Sequence, residues 1–443
     1  MIRIIPDITT AALIGQCVLY ALNVVLFIGV VRSLLMDSGR SRHWIALLAG
    51  LVFALNPALL LLHQYALSEA LFITSMLTTL LLVLRFAKTA SKLCFVFAAL
   101  AAGCLPIVRY AGLPFLAVSA AFIFALWEPR LRVLIGRWVD SLAFLFISIL
   151  PLLCWLLLNS LVRGESTNRT LIYHPIETTK FIQLGETVLE WFRPQGPQWL
   201  ALLLLVCTVL IVVLSFRRLP SWDHRLRAAI GLLCSAVAYV AFLLLSLSLL
   251  DAYTPLDRRI LLPAWILLAI IPSLSLQVAL HYRRLLAIQA VTLALIFLGY
   301  VTTTVDQVAH SRAFGFGYQT PGAAHSVLLK LVRNSDKRVL YTNAADYVFI
   351  HTGLELQDLP MIYNPNTREK NQDFVPQMAA ILREMDHGEA GIVHFSRLSN
   401  RDYFPSGTQL EEGYSLNPTL VTEDGSYYDQ LHSANTGTRD AVR

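Results

Sequence analysis

From Thr9 to Val305 the chain is a succession of long apolar stretches with almost no arginine or acid inside them. A run of about 20 apolar residues is the length that a helix needs to cross a hydrocarbon core of about 30 Å, and few other environments accept so many in series. Ten stretches are readable, near residues 11–31, 44–62, 70–86, 93–108, 111–127, 141–162, 198–216, 228–250, 260–279 and 285–304. The third to fifth are short, which leaves tilted, re-entrant or bundle-buried segments open for them. With 56% hydrophobic and 14% charged residues over 443 positions, the class is a polytopic membrane protein.

The charges sit in the connections, and they alternate. One set of loops carries Arg32, Arg40 and Arg42, then Arg85, Lys88 and Lys92, then Arg130, Arg132 and Arg137. Arg217, Arg218, Arg225 and Arg227 follow, then Arg283 and Arg284. Five successive basic loops predict a cytoplasmic side. The opposite loops (63–69, 109–110, 163–197 and 251–259) and everything after Val305 are then extracytoplasmic.

Residues 305–443 are different material. They hold 12 of the chain's 35 Lys+Arg and 17 of its 29 Asp+Glu, leaving 23 and 12 for the rest. The overall charge of +6 is therefore membrane anchoring and not a nucleic-acid surface. All six cysteines (Cys17, Cys94, Cys104, Cys154, Cys207 and Cys234) fall in the apolar stretches, so the tail has neither a disulfide framework nor a cysteine zinc site. The expected fold is an α-helical polytopic membrane protein of about ten spans over residues 1–304, with a C-terminal extracytoplasmic soluble α/β domain over 305–443.

Within the tail, the pattern predicts helices over 323–332, 344–351 (closed by Gly353) and 375–385. It predicts strands over 338–341 and 391–395, and a hairpin over 421–428 turning at Asp424-Gly425. The last dozen residues read as frayed. In the long 163–197 loop, Phe181, Ile182, Val188, Leu189 and Trp191 recur on one helical face, which predicts a short helix at the membrane interface ending before Pro194 and Pro197. Asn168-Arg169-Thr170 has the outline of a glycosylation sequon. The chain opens without a clear cleavable signal peptide, and no Walker loop, dinucleotide fingerprint, nucleophile elbow or zinc helix is present.

Three places concentrate residues that carry chemistry. Asn56-Pro57 breaks a span, and the next opens at Ser68-Glu69. Glu69 suits a helix N-terminus as a cap, or faces an aqueous cavity as an acid/base group or metal ligand, with His63, Gln64 and Tyr65 nearby. Arg109 interrupts an otherwise apolar run from Leu93 to Trp127, where burial at a helix centre costs about 2.5–3.5 kcal/mol. It must lie at a turn between two short helices. With Tyr110 it is either a snorkelling end residue or a ligand for an anionic group, and Gly112 and Pro114 favour broken helices lining a cavity. The third place is the loop Asp251-Ala-Tyr253-Thr-Pro-Leu-Asp257-Arg258-Arg259. Its adjacent arginines run against the topological charge rule and suit bidentate phosphate contacts, with Asp257 orienting one of them or forming a plain surface pair.

At these residues the chain resembles the GT-C superfamily of integral membrane glycosyltransferases, in particular bacterial members of the protein mannosyltransferase and aminoarabinose transferase type. The matching pieces are the Asn56-Pro57 span leading into Ser68-Glu69-Ala70-Leu71-Phe72, the turn Arg109-Tyr110-Ala111-Gly112-Leu113, and Asp257-Arg258-Arg259-Ile260-Leu261-Leu262-Pro263. The resemblance implies a polyprenyl-phosphate-sugar donor, a glycan or lipid acceptor at the extracytoplasmic face of a bacterial inner membrane, and no nucleic-acid partner. A carboxylate, Glu69 or Asp7, would deprotonate the acceptor hydroxyl. Arg109, Tyr110, Tyr253, Asp257, Arg258 and Arg259 would bind the donor, helped in some members by a divalent metal ion whose ligands here are unknown.

The chain departs from that pattern at its start. The family begins with a further span and an outer loop bearing the catalytic aspartate, whereas here Asp7 is the only early acid and lies close to the next helix. The expectation is a chain that lacks the catalytic loop and is inactive or nearly so as written. Two other functions use the same arginines: a transporter or flippase of a lipid-linked saccharide, and a non-catalytic membrane scaffold.

Overall fold

The computed structural model describes residues 8–35, 39–65, 68–126, 134–164, 166–167, 171–193, 195–220, 223–315, 325–398 and 401–430. Asp7, the 168–170 sequon and residues 432–443 lie outside them. The chain divides into two compact units. Met1–Leu250 with Thr254–Arg312 forms one, and Asp251–Tyr253 with Ala313–Arg443 forms the other.

The first unit is helical because its apolar runs can satisfy their backbone groups only within themselves. In order it contains α1 (Ile8–Leu34), α2 (Arg40–Ala54), α3 (Pro57–Gln64), α4 (Ser68–Thr89), α5 (Lys92–Val108) and α6 (Leu113–Leu126). These are followed by α7 (Leu134–Arg163), α8 (Thr178–Glu190), α9 (Gln198–Phe216), α10 (His224–Leu249), α11 (Leu262–Ala279) and α12 (Arg283–Phe314). Among the described residues seven helices are long and apolar enough to cross a membrane, or eight if the bent pair α2–α3 counts as one. The protein is thus an integral multi-pass membrane protein. Of the ten expected stretches, the fourth and fifth are the 17-residue α5 and the 14-residue α6. The third, read as short, is instead the 22-residue α4, because the helix continues through Arg85 and Lys88 past the apolar run.

The α2–α3 bend of 55° has a local cause. Pro57 cannot donate to the α2 ladder, and Asn56 caps the new helix, its Oδ1 accepting from the Leu59 amide at 3.0 Å. Loops of one charge set meet each other: Lys88 Nζ donates to Ser33 O, and the Arg218 guanidinium lies 4.4 Å from the centre of the Tyr282 ring, while Arg42 Nε donates to Arg32 O at 2.8 Å across the α1–α2 connection. The two helices most enclosed by protein are α11, with 78% of its apolar window buried, and α4, with 61%; α7 and α9 are at 22%. The first two therefore form the middle of the bundle, and the last two face outward.

The second unit is a five-stranded sheet with helices. The elements are α13 (Val327–Asn334), β1 (Val339–Thr342), α14 (Ala345–Thr352), β2 (Gln357–Asp358), α15 (Phe374–Asp386), β3 (Ala390–Phe395), α16 (Gly407–Tyr414), β4 (Leu420–Val421) and β5 (Gly425–Tyr428). Strand order is β2-β1-β3-β5-β4, with β1 parallel to both β2 and β3 and β5 antiparallel to both β3 and β4. The central strand β3 is buried on both faces, as a sheet covered on two sides requires: Ile392 joins Met378, Ile381 and Met385 of α15, and Val393 joins Leu328, Val332 and Val348. At the β4–β5 turn a side chain on Gly425 would meet His394 O, so only glycine fits there. The amphipathic helix expected from residue 323 is described from Val327, capped by Ser326. The two-residue β2 and α16, with its Ser406–Gln409 capping box, have no counterpart in the sequence reading.

His394, on β3, is buried and bonded through Nε2 to Pro405 O at 3.1 Å. Burial holds its imidazole below the ordinary value of 6.5. The fold therefore favours the neutral ring while the unfolded chain takes up the proton first. The resulting stability is complete above about pH 6.5 and falls as pH drops below it. Thermal unfolding followed by circular dichroism should show this acid sensitivity in the wild type and a flatter profile between pH 7 and 5 in His394→Gln.

Candidate functional site

Glu69 is the second residue of α4, with its side chain 7% exposed. Arg109 lies where α5 stops. Its extended backbone (φ −153°, ψ 134°) ends the helix, and a single 3₁₀ turn over Tyr110–Gly112 leads into α6. Gly112 makes that reversal possible, since a Cβ there would lie 2.4 Å from the carbonyl carbon of Leu105. Arg259 stands three residues before α11, on a turn closed by Asp257, whose Oδ1 accepts from the amides of Arg259 and Ile260, both at 3.0 Å.

These three elements converge. Arg109 Nη1 pairs with Glu69 Oε1, and Arg259 Nε lies 3.5 Å from the same oxygen. That separation gives ionic attraction without a hydrogen bond, so the buried Arg259 Nε has no hydrogen-bond partner. The arginine side chains remain 26% and 38% exposed. One buried carboxylate thus holds two guanidinium groups side by side, with a net charge of +1 and open donors on both. The N-termini of α4 and α11, the two enclosed helices, add partial positive charge at the same place.

Helix α8 supports the arginine loop. Lys180 Nζ donates to Thr254 O at 2.9 Å, Gln183 Oε1 accepts from the Leu256 amide at 3.0 Å, and Thr187 Oγ1 donates to Leu256 O at 2.9 Å. Arg258 turns from its neighbour toward Glu190, with Nε to Oε2 at 3.2 Å. Burial holds the Glu190 carboxyl above its usual range, and Arg258 works against that shift. This pair is more than one-third exposed on both sides, so it contributes about 0–1 kcal/mol.

The other candidates make other contacts. Tyr110 Oη shares a 3.2 Å hydrogen bond with Thr167 Oγ1, and its ring stands edge-on to Trp155. Tyr253 belongs to the second unit. It donates to Asp402 Oδ1 at 2.6 Å while Tyr363 donates to Oδ2 at 2.7 Å, and these bonds hold the Asp402 carboxyl below its usual range. Asp257 serves the backbone of its turn and not the guanidinium of a neighbour. His63 is buried in a network between helices: its Nδ1 meets Leu59 O at 2.8 Å and its Nε2 meets Asn23 Nδ2 at 3.2 Å, while Thr74 donates to Asn23 Oδ1. Among the described residues no group of three His, Cys, Asp or Glu side chains is placed to hold a metal ion. The groups around Glu69 are two guanidiniums, a cationic setting that does not suit a metal ion.

Comparison with family models, with curated proteins and with solved structures returns no match. The geometry therefore carries the functional argument alone. Chemically, paired guanidiniums with free donors suit a tetrahedral oxyanion such as a phosphate monoester or diester, which accepts from both forks. Glu69 holds the two cations together. Sequence reasoning missed Glu190 and the clamp residues Lys180, Gln183 and Thr187. The amphipathic helix was legible, but its polar partners emerge only once loop 254–258 is laid against it.

A small pocket of about 20 Å³, room for about one water molecule, lies within the bundle, lined by residues such as Met76, Leu105, Phe115 and Phe122 and by Thr79 and Ser119. It contains no charged side chain and is not the site.

Proposed function

We propose that the chain is a membrane glycosyltransferase of the GT-C type, using a polyprenyl-phosphate-linked sugar as donor and an extracytoplasmic glycan or lipid hydroxyl as acceptor. The observation that supports it is the pair Arg109–Arg259 gathered on the buried carboxylate of Glu69. In this reading the acceptor oxygen bonds the anomeric carbon as the bond from that carbon to the phosphate oxygen breaks. The phosphate leaves with an added negative charge, which the two guanidiniums receive in a partly dry setting without having to reorganise. Glu69 acts as a positioning residue for both cations. The acceptor proton passes to a carboxylate, for which Asp7 is the candidate in the sequence.

The same reading puts loops 63–69, 109–110, 163–197 and 251–259 and the second unit outside a bacterial inner membrane, with the basic loops in the cytoplasm. Reporter fusions after Tyr282 and after Gly353 test the sides: cytoplasmic activity is expected at the first and periplasmic activity at the second.

The function is tested with vesicles containing the chain, a labelled polyprenyl-phosphate sugar and an extract of membrane glycans. A low level of transfer that disappears in Arg109→Ala and Arg259→Ala is the expected result. Transfer that survives both substitutions contradicts the proposal.

A further inference from the structure

Helix α8 and the segment before it carry both enclosed and exposed apolar side chains. On the inner side Leu184, Val188, Trp191 and Phe192 pack into the core of the bundle. Leu171, Tyr173, Phe181 and Ile182 are instead 77%, 74%, 49% and 57% exposed. Large apolar side chains left this exposed together mark a contact surface.

The position in the chain names what covers this surface. The segment joins the end of α7 to the start of α9, both membrane-length helices with little of their apolar surface enclosed by protein. The last turns of α7 expose Leu158, Leu161 and Val162, and the first turns of α9 expose Trp199, Leu202 and Leu203. Exposed apolar side chains thus occur on both spans and on the segment 171–182 that lies between them in sequence. Backbone bonds tie this segment to the end of α10, from Ile172 N to Leu249 O at 3.0 Å and from His174 N to Ser248 O at 2.7 Å, so it is held at the level where the span ends.

We infer that residues 171–182 dock on the lipid bilayer, seating Leu171, Tyr173, Phe181 and Ile182 at the boundary between head groups and acyl chains. The charges say what kind of lipid surface is read. Between Arg163 and Arg193 stand four basic residues (Arg163, Arg169, Lys180 and Arg193) and four acidic ones (Glu165, Glu177, Glu186 and Glu190). With no net charge, docking is driven by apolar burial and is indifferent to anionic lipid. Because α8 also clamps residues 254–256 and Arg258, the membrane surface becomes one of the supports of the arginine loop.

The test places photoreactive benzoylphenylalanine at Phe181, Ile182, Leu203 and Thr179, one at a time, in the full chain reconstituted into phosphatidylcholine vesicles. After illumination, mass spectrometry reads the adducts. Leu203 on α9 reports that the protein is inserted, and Thr179 is the polar neighbour. The expected result is a mass increase of one phospholipid at Phe181 and Ile182 in yield comparable with Leu203, little at Thr179, and no change when a third of the lipid is phosphatidylglycerol. Lipid adducts at Leu203 with none at Phe181 and Ile182, or cross-links from these two to a second copy of the chain, overturn the proposal. A yield that rises steeply with phosphatidylglycerol overturns the apolar basis of docking. None of these readouts depends on the proposed transferase activity.

Discussion

Glu69→Ala is expected to lower the thermal unfolding midpoint of the reconstituted protein and to abolish any tight phosphate binding. The substitution leaves Arg109 and Arg259 facing each other with no countercharge, and Arg259 Nε is already without a hydrogen-bond partner. Removing one member of a fully buried pair costs about 3–5 kcal/mol, and the partial exposure of both arginines brings the expected loss toward about 3 kcal/mol. Glu69→Gln keeps the shape and an acceptor oxygen but not the charge, so it should lie between wild type and alanine. A double-mutant cycle separates pairing from packing. If Glu69 acts through Arg109, Glu69→Ala combined with Arg109→Ala is less destabilised than the two single changes added together. Additive losses would mean that the carboxylate does not hold the arginine.

Gly112→Ala is the second change with a large effect, and its cause is steric. The added methyl would lie 2.4 Å from the carbonyl carbon and 2.7 Å from the oxygen of Leu105, both backbone atoms that cannot rotate aside. The reversal between α5 and α6 must open, moving Arg109 from Glu69. The cost is expected at or above the top of the about 1–3 kcal/mol range for overpacking. Gly185→Ala is the matched control, because nothing lies within 4 Å of its Cβ position. Inside α8 the alanine should be neutral or stabilising by up to about 1 kcal/mol. Equal thermal midpoints for the two variants would show that the turn tolerates a side chain.

The parts of the site that the sequence makes legible share one property: they are charges that an apolar chain cannot hide. Glu69, Arg109 and Arg259 each interrupt or border a span on the same set of loops, and one shared partner explains all three. Arg258 carries the same sequence signal, but its direction is set by Glu190 on a helix far away in sequence, and nothing local announces that. Asp257 looks like a side-chain partner for an arginine, yet the tightness of its turn gives its carboxylate to the backbone.

Helix lengths fail for a related reason. The α12 pattern stops being apolar near Thr302, but the helix runs on to Phe314. Thr304 donates to Leu55 O at 2.9 Å and Ser311 accepts from Gln64 at 3.2 Å, tertiary bonds that hydropathy does not register. In the sheet unit, β3 was readable because both its faces are buried. The pair Gln357–Asp358 is exposed and joins the sheet only through its backbone. The Ser406–Gln409 capping box was a legible helix signal that the sequence reading passed over.

The central claim is that Arg109 and Arg259, gathered on Glu69, bind a phosphate. Its most direct measurement is the affinity of the chain in lipid nanodiscs for a polyprenyl phosphate and for the matching polyprenyl alcohol, in the wild type and in Arg259→Ala. A lost charge-assisted hydrogen bond is worth about 1.5–3 kcal/mol, so Arg259→Ala should weaken phosphate binding roughly tenfold to a hundredfold and leave alcohol binding unchanged. Equal affinity of the wild type for phosphate and alcohol, or a phosphate affinity that Arg259→Ala does not alter, would contradict it.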